Sequence, residues 1–350
     1  MISHESTATR TETFRLGSRD VPRLFNGLWQ LSSNSWGSAP AAKIRKCMAT
    51  YAESGFVAFG QHSSCDLADH YGPAEILFGE FREKCSDPDA IFGATKWCVF
   101  RKLEPTKALV EAAINERLER MKTQHVDLLQ FHWQDYNDHG YLTALRHLRH
   151  LQSEGKISMI GLCNFDSERM DEICGTLDPG AIVSNQVQFS LIDVRPRYGM
   201  GAVCQRHGVK LLTYGTVCGG FLSDSWLNKA EPDPYSGTLT PSQRKYLDMI
   251  IKAWGSWTLF QTLLSTLKAI ADKYSVSVAN VATRWVLDHD FVGAVLIGVR
   301  MGVSEHAEDN LHVYGFRLDA EDRVAIDEVL AQSKGSQLIE SIGDCGAEYR

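Results

Sequence analysis

The chain of 350 residues has no hydrophobic run long enough to cross a bilayer. Spanning requires about 18 consecutive apolar residues, and no stretch approaches that. Its opening residues, MISHESTATRTETF, are polar and lack the apolar segment of a secretory leader. An excess of basic charge is also missing. Lys and Arg number 36 against 43 Asp and Glu, giving a net charge of −7. The basic face of a nucleic-acid binder is therefore not expected. The nine cysteines are odd in number and form no C-x-x-C pair. They read as free buried thiols in a reducing compartment, with the cytoplasm as the default. His62 and Cys65 make an isolated H-x-x-C, short of the four ligands of a structural zinc site, so no metal is expected. No G-x-G-x-x-G follows a strand, and no P-loop, H-E-x-x-H or G-x-S-x-G is present. What remains is a chain suited to small molecules.

With 44% hydrophobic residues, the chain can bury a full core without staples. Residues 1–12 read as a loose tail and 13–24 as a hairpin turned at 17–20. Eight short apolar runs follow, at 25–29, 55–59, 90–94, 126–131, 158–162, 181–186, 209–214 and 293–298. Most are continuous rather than alternating, as in parallel strands covered on both faces. Helical spacing lies between them at 104–122, 141–155, 167–177 and 195–207. In 104–122 the apolar set is Leu109, Ala112, Ala113, Leu118 and Met121. Eight strand–helix units predict one α/β domain, a (β/α)8 TIM barrel over residues 13–335, with a C-terminal tail at 336–350. After the seventh strand about forty residues intervene before the helix near Leu259. A long loop leaving the C-terminal end of a barrel strand reads as a lid over a substrate site.

The same ends carry polar residues where a barrel enzyme holds its chemistry. Lys96 follows IFGAT, and His132 follows VDLLQF. Asp66 and Tyr71 follow the second strand in DLADHYG. Cys163 and Asn164 follow MIGL. Gln186 lies in VSNQVQF, and Tyr214 closes KLLTY. Together with GLWQL at 27–31 and LIGVR…EDN at 296–310, these segments resemble the aldo-keto reductases in their order. The resemblance covers about residues 14–330, and the wording of LTYGTVCGGFL and WQDYND resembles fungal members, some of which serve secondary metabolism.

That resemblance implies an NADP(H)-dependent oxidoreductase that reduces an aldehyde or ketone to an alcohol, or runs the reverse. It maps a catalytic tetrad to Asp66, Tyr71, Lys96 and His132. A tyrosine near pKa 10 releases its proton reluctantly, and an adjacent lysine cation lowers that barrier. Asp66 would hold Lys96, and His132 would hydrogen-bond the substrate oxygen. Gly27 falls in the cofactor site. Asn164 and Gln186 would bind the nicotinamide carboxamide, with Tyr214 stacked on the ring. Gly298 would admit the phosphates, Arg300 would pair with the 2′-phosphate, and Asp309 and Asn310 would lie near adenine. The partner expected is a small carbonyl or alcohol, bulky and apolar if Trp29, Trp97, Trp133 and the 217–257 region form the pocket wall. Three departures stand out. Cys163 replaces the usual serine, the 300–310 stretch is about two residues longer, and six residues, GQHSSC at 60–65, precede Asp66. Because the family also includes members that bind NADP to regulate partners, a catalytically impaired or regulatory NADP-binding protein is the alternative.

Overall fold

The computed structural model describes residues 11–28, 31, 39–60, 72–304 and 306–350. The chain begins with an antiparallel hairpin, β1 (Thr13–Leu16) and β2 (Arg19–Pro22). Gly17 turns it with φ +53°, a conformation that favours glycine. Asp20, expected in the turn, pairs with Arg15 inside the second strand. Glu12, read as part of a loose tail, is anchored instead. Its carboxylate meets Arg284 at 3.0 Å and Arg317 at 3.1 Å.

Each of the eight expected runs overlaps one strand of a closed parallel barrel. These are β3 (Leu24–Gly27), β4 (Ala58–Gly60), β5 (Phe92–Val99), β6 (Val126–Trp133), β7 (Ile157–Cys163), β8 (Ser184–Gln188), β9 (Lys210–Tyr214) and β10 (Val292–Gly298). They neighbour one another in chain order, and β10 closes the ring against β3. The expected (β/α)8 barrel is the observed fold. Gly60, counted with the GQHSSC insertion, is the last residue of β4 and pairs with Gly27 and Ala94. The other five residues of that insertion lie outside the described residues.

Outside the ring run α1 (Ala41–Glu53), α2 (Gly72–Arg82), α3 (Lys107–Arg120), α4 (Gly140–Ser153), α5 (Ser167–Thr176) and α6 (Met200–His207). Side-chain caps start several of them: Thr106 accepts from the Leu109 N–H, and Asp166 from the Arg169 N–H. Each satisfies a donor the first turn leaves orphaned. The buried face of α3 is Val110, Ile114, Arg117 and Met121, spaced at helical intervals. Leu109 and Ala112, expected on that face, are exposed. Two apolar stripes lay side by side in the sequence, and the one aligned with the barrel wins. The helix expected over 195–207 is shortened because Pro196 sits in a separate turn and Gly199, with φ +110°, breaks the path before α6.

Strand parity sorts the core into two layers. Phe25, Phe92, Leu128, Met159, Leu212 and Leu296 point into the barrel and fill it. Leu16 and Val21 of the hairpin pack into the same cluster, so β1 and β2 close its N-terminal end. Phe14 covers Gly293, where an added Cβ would come within 2.2 Å of its ring. The opposite parity faces the helices. Trp97 packs on Phe131 there, with ring centroids 5.3 Å apart, and Trp133 lies in the same layer. Neither tryptophan forms the pocket wall expected of it, because its neighbour on the strand, Lys96 or His132, takes the inward direction. Trp29 lies outside the described residues.

The long connection after β9 is structured. It contains α7 (Pro241–Asp248), opened by a Thr240–Gln243 capping box, and a widened turn over Met249–Trp254. It leads into α8 (Trp257–Tyr274) and α9 (Val278–Leu287). After β10 come α10 (Ala307–Leu311), α11 (Ala320–Leu330) and α12 (Leu338–Ile342).

Asp127 secures the start of β6. Its carboxylate accepts from Arg82 and from the Gly93 N–H, each at 2.9 Å, and only 3% of its side chain is exposed. Asp127→Ala leaves Arg82 buried without its partner, and such losses cost about 3–5 kcal/mol. Denaturant unfolding of Asp127→Ala is expected to show a loss of that order, whereas Asp20→Ala at the exposed Arg15–Asp20 pair should stay within about 0.5 kcal/mol.

Candidate active site

The parity that turns Ala94 and Leu128 inward also turns Lys96, Gln130 and His132 inward one or two steps further along β5 and β6. Two outer contacts hold Lys96 in place. Buried Arg117 on α3 donates to the Lys96 carbonyl at 2.6 Å, and the Thr95 hydroxyl donates to buried Glu75 on α2. Parallel register sets Cys163 beside Gln186 and Gln188 beside Tyr214. The ends of β5 to β9 therefore present their polar side chains to one space.

Those side chains are linked. Lys96 Nζ donates to Gln186 Oε1 at 2.5 Å, and Gln186 Nε2 donates to Gln130 Oε1 at 2.8 Å. Tyr214 Oη donates to Asn164 Oδ1 at 3.0 Å. Asn164 has φ +57°, a left-handed conformation that Asn tolerates, and its N–H donates to the Gln186 carbonyl at 2.9 Å. Its Nδ2 is buried with no hydrogen-bond partner among the described residues. A donor in that state costs free energy unless a ligand acceptor meets it. The planar amide oxygen of a carboxamide is such an acceptor, so the residues present fit a nicotinamide head group.

His132 is fully buried, and burial pushes its pKa down to about 4, against a partly offsetting hydrogen bond to the Cys163 carbonyl. The imidazole is neutral near pH 7. Both ring nitrogens face acceptor oxygens, Nδ1 at 2.9 Å from Cys163 O and Nε2 at 3.3 Å from Gln134 Oε1, so the one proton of the neutral ring serves only one of them. Burial also raises the Cys163 thiol and the Tyr214 phenol above their ordinary values, so both stay protonated.

Of the residues expected in the site, Lys96, His132, Asn164, Gln186 and Tyr214 come together. Gly27 and Gly298 end adjacent strands and are paired with each other, in a separate part of the rim. Arg300 stands just beyond, half-buried, with Nε 3.0 Å from Ser304 Oγ in a tight turn. Asp309 is engaged with α9, accepting from Ser277 at 3.1 Å and Asn280 at 3.2 Å. Asn310 lies beside it on α10, half-buried. Asp66 and Tyr71 lie outside the described residues.

Sequence reasoning missed Gln130, which strand parity from His132 could have found. It also missed the last residues of the sequence. The segment read as a tail is docked on the barrel, and Tyr349 joins the interior cluster, its hydroxyl 2.8 Å from that of Tyr214. Nothing in its local pattern marks it for that place.

The eight-stranded barrel turns a Lys, His, Asn, Gln and Tyr toward its axis at the C-terminal ends of β5 to β9, where barrel enzymes hold their chemistry. The chain belongs to the Aldo/keto reductase family, whose sequence model matches residues 23–331. It is 24% identical over 322 residues to aldo-keto reductase YhdN of Bacillus subtilis, covering 89% of this chain and 90% of that one. It is 30% identical over 180 residues to flagellar radial spoke protein 5 of Chlamydomonas reinhardtii, a match that spans 47% of this chain and 33% of that protein. Among solved structures, the glycerol dehydrogenase AKR11B4 of Gluconobacter oxydans superposes with a TM-score of 0.74 at 22% identity, covering 91% of this chain and 95% of that one. An aldo-keto reductase of Klebsiella pneumoniae in complex with NADPH gives 0.68 at 18%, covering 92% and 95%.

The buried imidazole has a measurable consequence. Its folded pKa of about 4 lies below the unfolded value near 6.5, so the unfolded chain binds the proton more readily. The stability it confers is full above about pH 6.5 and is lost as pH falls toward 4, by about 3 kcal/mol over that window. Unfolding free energy measured from pH 7 to 4.5 should fall less steeply in His132→Gln than in the parent.

Proposed function

We propose that this family member is an NADP(H)-dependent reductase of an aldehyde or ketone, working also as the reverse alcohol dehydrogenase. The observation that carries the reading is the buried Asn164 Nδ2, without a partner among the described residues and set beside Gln186 and Tyr214. When bound, the nicotinamide supplies or accepts the hydride. Asn164 and Gln186 would hold its carboxamide and Tyr214 its ring. Tyr71 would give the proton to the developing alkoxide, with Lys96 lowering the cost of tyrosinate and Asp66 holding Lys96. General acid catalysis of this kind contributes roughly 10²–10⁴-fold. His132, buried and neutral, would orient the substrate by donating its ring proton to the carbonyl oxygen of the aldehyde or ketone. Gly27 and Gly298 leave room for the phosphates, and Arg300 would pair with a 2′-phosphate, with Asp309 and Asn310 toward adenine. The Klebsiella pneumoniae relative in complex with NADPH supports the choice of cofactor.

The substrate is a small carbonyl or alcohol, and the connection carrying α7 serves as the lid over it. The fungal-type wording of the sequence supports a role in secondary metabolism. Free thiols at Cys85, Cys163, Cys174, Cys204, Cys218 and Cys345 support a reducing compartment such as the cytoplasm. The second reading, a regulatory NADP-binding protein of impaired turnover, is favoured by Tyr349, whose hydroxyl occupies the hydrogen-bonding edge of Tyr214.

NADPH oxidation with an aromatic aldehyde separates the two. The enzyme reading expects turnover in the parent and its loss in Tyr71→Phe, with NADPH affinity kept within a few-fold. Retained turnover in Tyr71→Phe would assign the proton to another group, and NADPH binding without turnover in the parent would favour the regulatory reading. Arg300→Ala should weaken NADPH about 10- to 150-fold, as expected for one charge-assisted bond of about 1.5–3 kcal/mol, and leave NADH nearly unchanged. Equal losses for both cofactors would remove Arg300 from the 2′-phosphate.

A further inference from the structure

Residues 343–350 make a dense set of contacts with the side chains that the proposed cofactor needs. Tyr349 Oη is 2.8 Å from Tyr214 Oη, which in turn donates to Asn164. Arg350 donates to the Asn164 carbonyl at 2.5 Å and lies over the Tyr136 ring, its guanidinium carbon 3.8 Å from the ring centre. Gly346, with φ +85°, passes so close that an added Cβ would stand 2.1 Å from the Asn164 carbonyl oxygen. Gln134, the neighbour of His132 Nε2, donates its other amide end to the Tyr349 carbonyl.

The segment is clamped from two sides. Arg195, 1% exposed, is held by Asp193 and reaches Glu348 with two bonds of 2.9 Å. It also donates to the carbonyls of Gly343 at 3.2 Å and Asp344 at 3.0 Å. The Asp344 carboxylate caps the start of α5, accepting from the Ser167 N–H at 2.7 Å. On the other side, Lys245 of α7 meets Tyr349 Oη at 3.0 Å with its ammonium over the ring. One aromatic side chain thus touches both Tyr214 and the long connection.

We propose that residues 343–350 are an internal ligand of the nicotinamide site, which a nicotinamide ring must displace in order to bind. This inference rests on the cofactor reading of Asn164, Gln186 and Tyr214. Tyr349, which sits in the interior cluster beside Tyr214, and the nicotinamide ring compete for the space next to that tyrosine. Displacing Tyr349 also removes its contact with Lys245, so α7 loses that contact in the same step. Apparent affinity is then lowered by the fraction of molecules in which the segment is docked. Weakening the clamp raises affinity without touching a residue that would contact the cofactor.

Two variants and one label-free measurement test this. Asp344→Ala removes the carboxylate that ties the segment to the start of α5, and Glu348→Gln keeps the shape but removes the charge that Arg195 holds. Hydrogen exchange of the 343–350 peptide and NADPH titration by fluorescence are followed in the parent and both variants. The expected result is a protected peptide in the free parent, loss of that protection on adding NADPH, fast exchange in the variants, and NADPH binding at least 10-fold tighter in them. NADPH binding that leaves the peptide protected, with equal affinity in all three proteins, overturns the competition and leaves the cofactor reading standing. Absence of NADPH binding in all three proteins overturns the cofactor reading and this inference with it.

Discussion

Inward parity at the C-terminal ends of the parallel strands is the constraint on which the rest of this molecule depends. In a buried strand each residue faces the barrel or the helices, and a one-residue slip would exchange the two sets. Ala94 and Leu128 fill the barrel, so Lys96 and His132 must enter it too, and Trp97 and Trp133 must leave it. The hydrophobic layer and the polar layer are consecutive floors of one barrel. Burial of the lower floor specifies the aim of the upper one.

Asn164 is where the polar floor converges. It follows the last residue of β7 in a left-handed conformation, which turns its side chain toward Tyr214 while its N–H remains tied to β8. Its carbonyl is used by Arg350 and its Oδ1 by Tyr214. Among the described residues its side-chain nitrogen is left without a partner, and a buried donor of that kind is a standing free-energy cost that a carboxamide would relieve. His132 shows the same economy of partners. Both of its ring nitrogens face acceptor oxygens, and its one proton can serve only one of them at a time.

The docked segment at 343–350 fills the space beside Asn164 and Tyr214 that a nicotinamide would need under the proposed function. Its anchor is Arg195, whose burial is tolerable because Asp193 and Glu348 both neutralise it. Burial disfavours the Glu348 carboxylate, yet the charge and hydrogen bonds of Arg195 hold its pKa below the ordinary carboxylate value. The clamp is therefore ionised at neutral pH, and its strength lies in charges removed from solvent rather than in surface pairs.

The sequence by itself determined the barrel, since eight continuous apolar runs separated by helical spacing admit few other arrangements, and it located Lys96, His132, Asn164, Gln186 and Tyr214 by their position after those runs. The hairpin was legible from its own turn, because its information is local. Only the tertiary structure decided which of two stripes on α3 is buried, because both have helical spacing and the barrel surface chooses between them. It alone turned the two tryptophans outward, since facing is set by register against neighbouring strands and not by residue type. It alone seated Tyr349 on Tyr214, 135 residues away in the chain, through an arginine that belongs to a different connection. Contacts of that separation leave no periodicity in the sequence, so residues that look like a tail can reach the centre of the site.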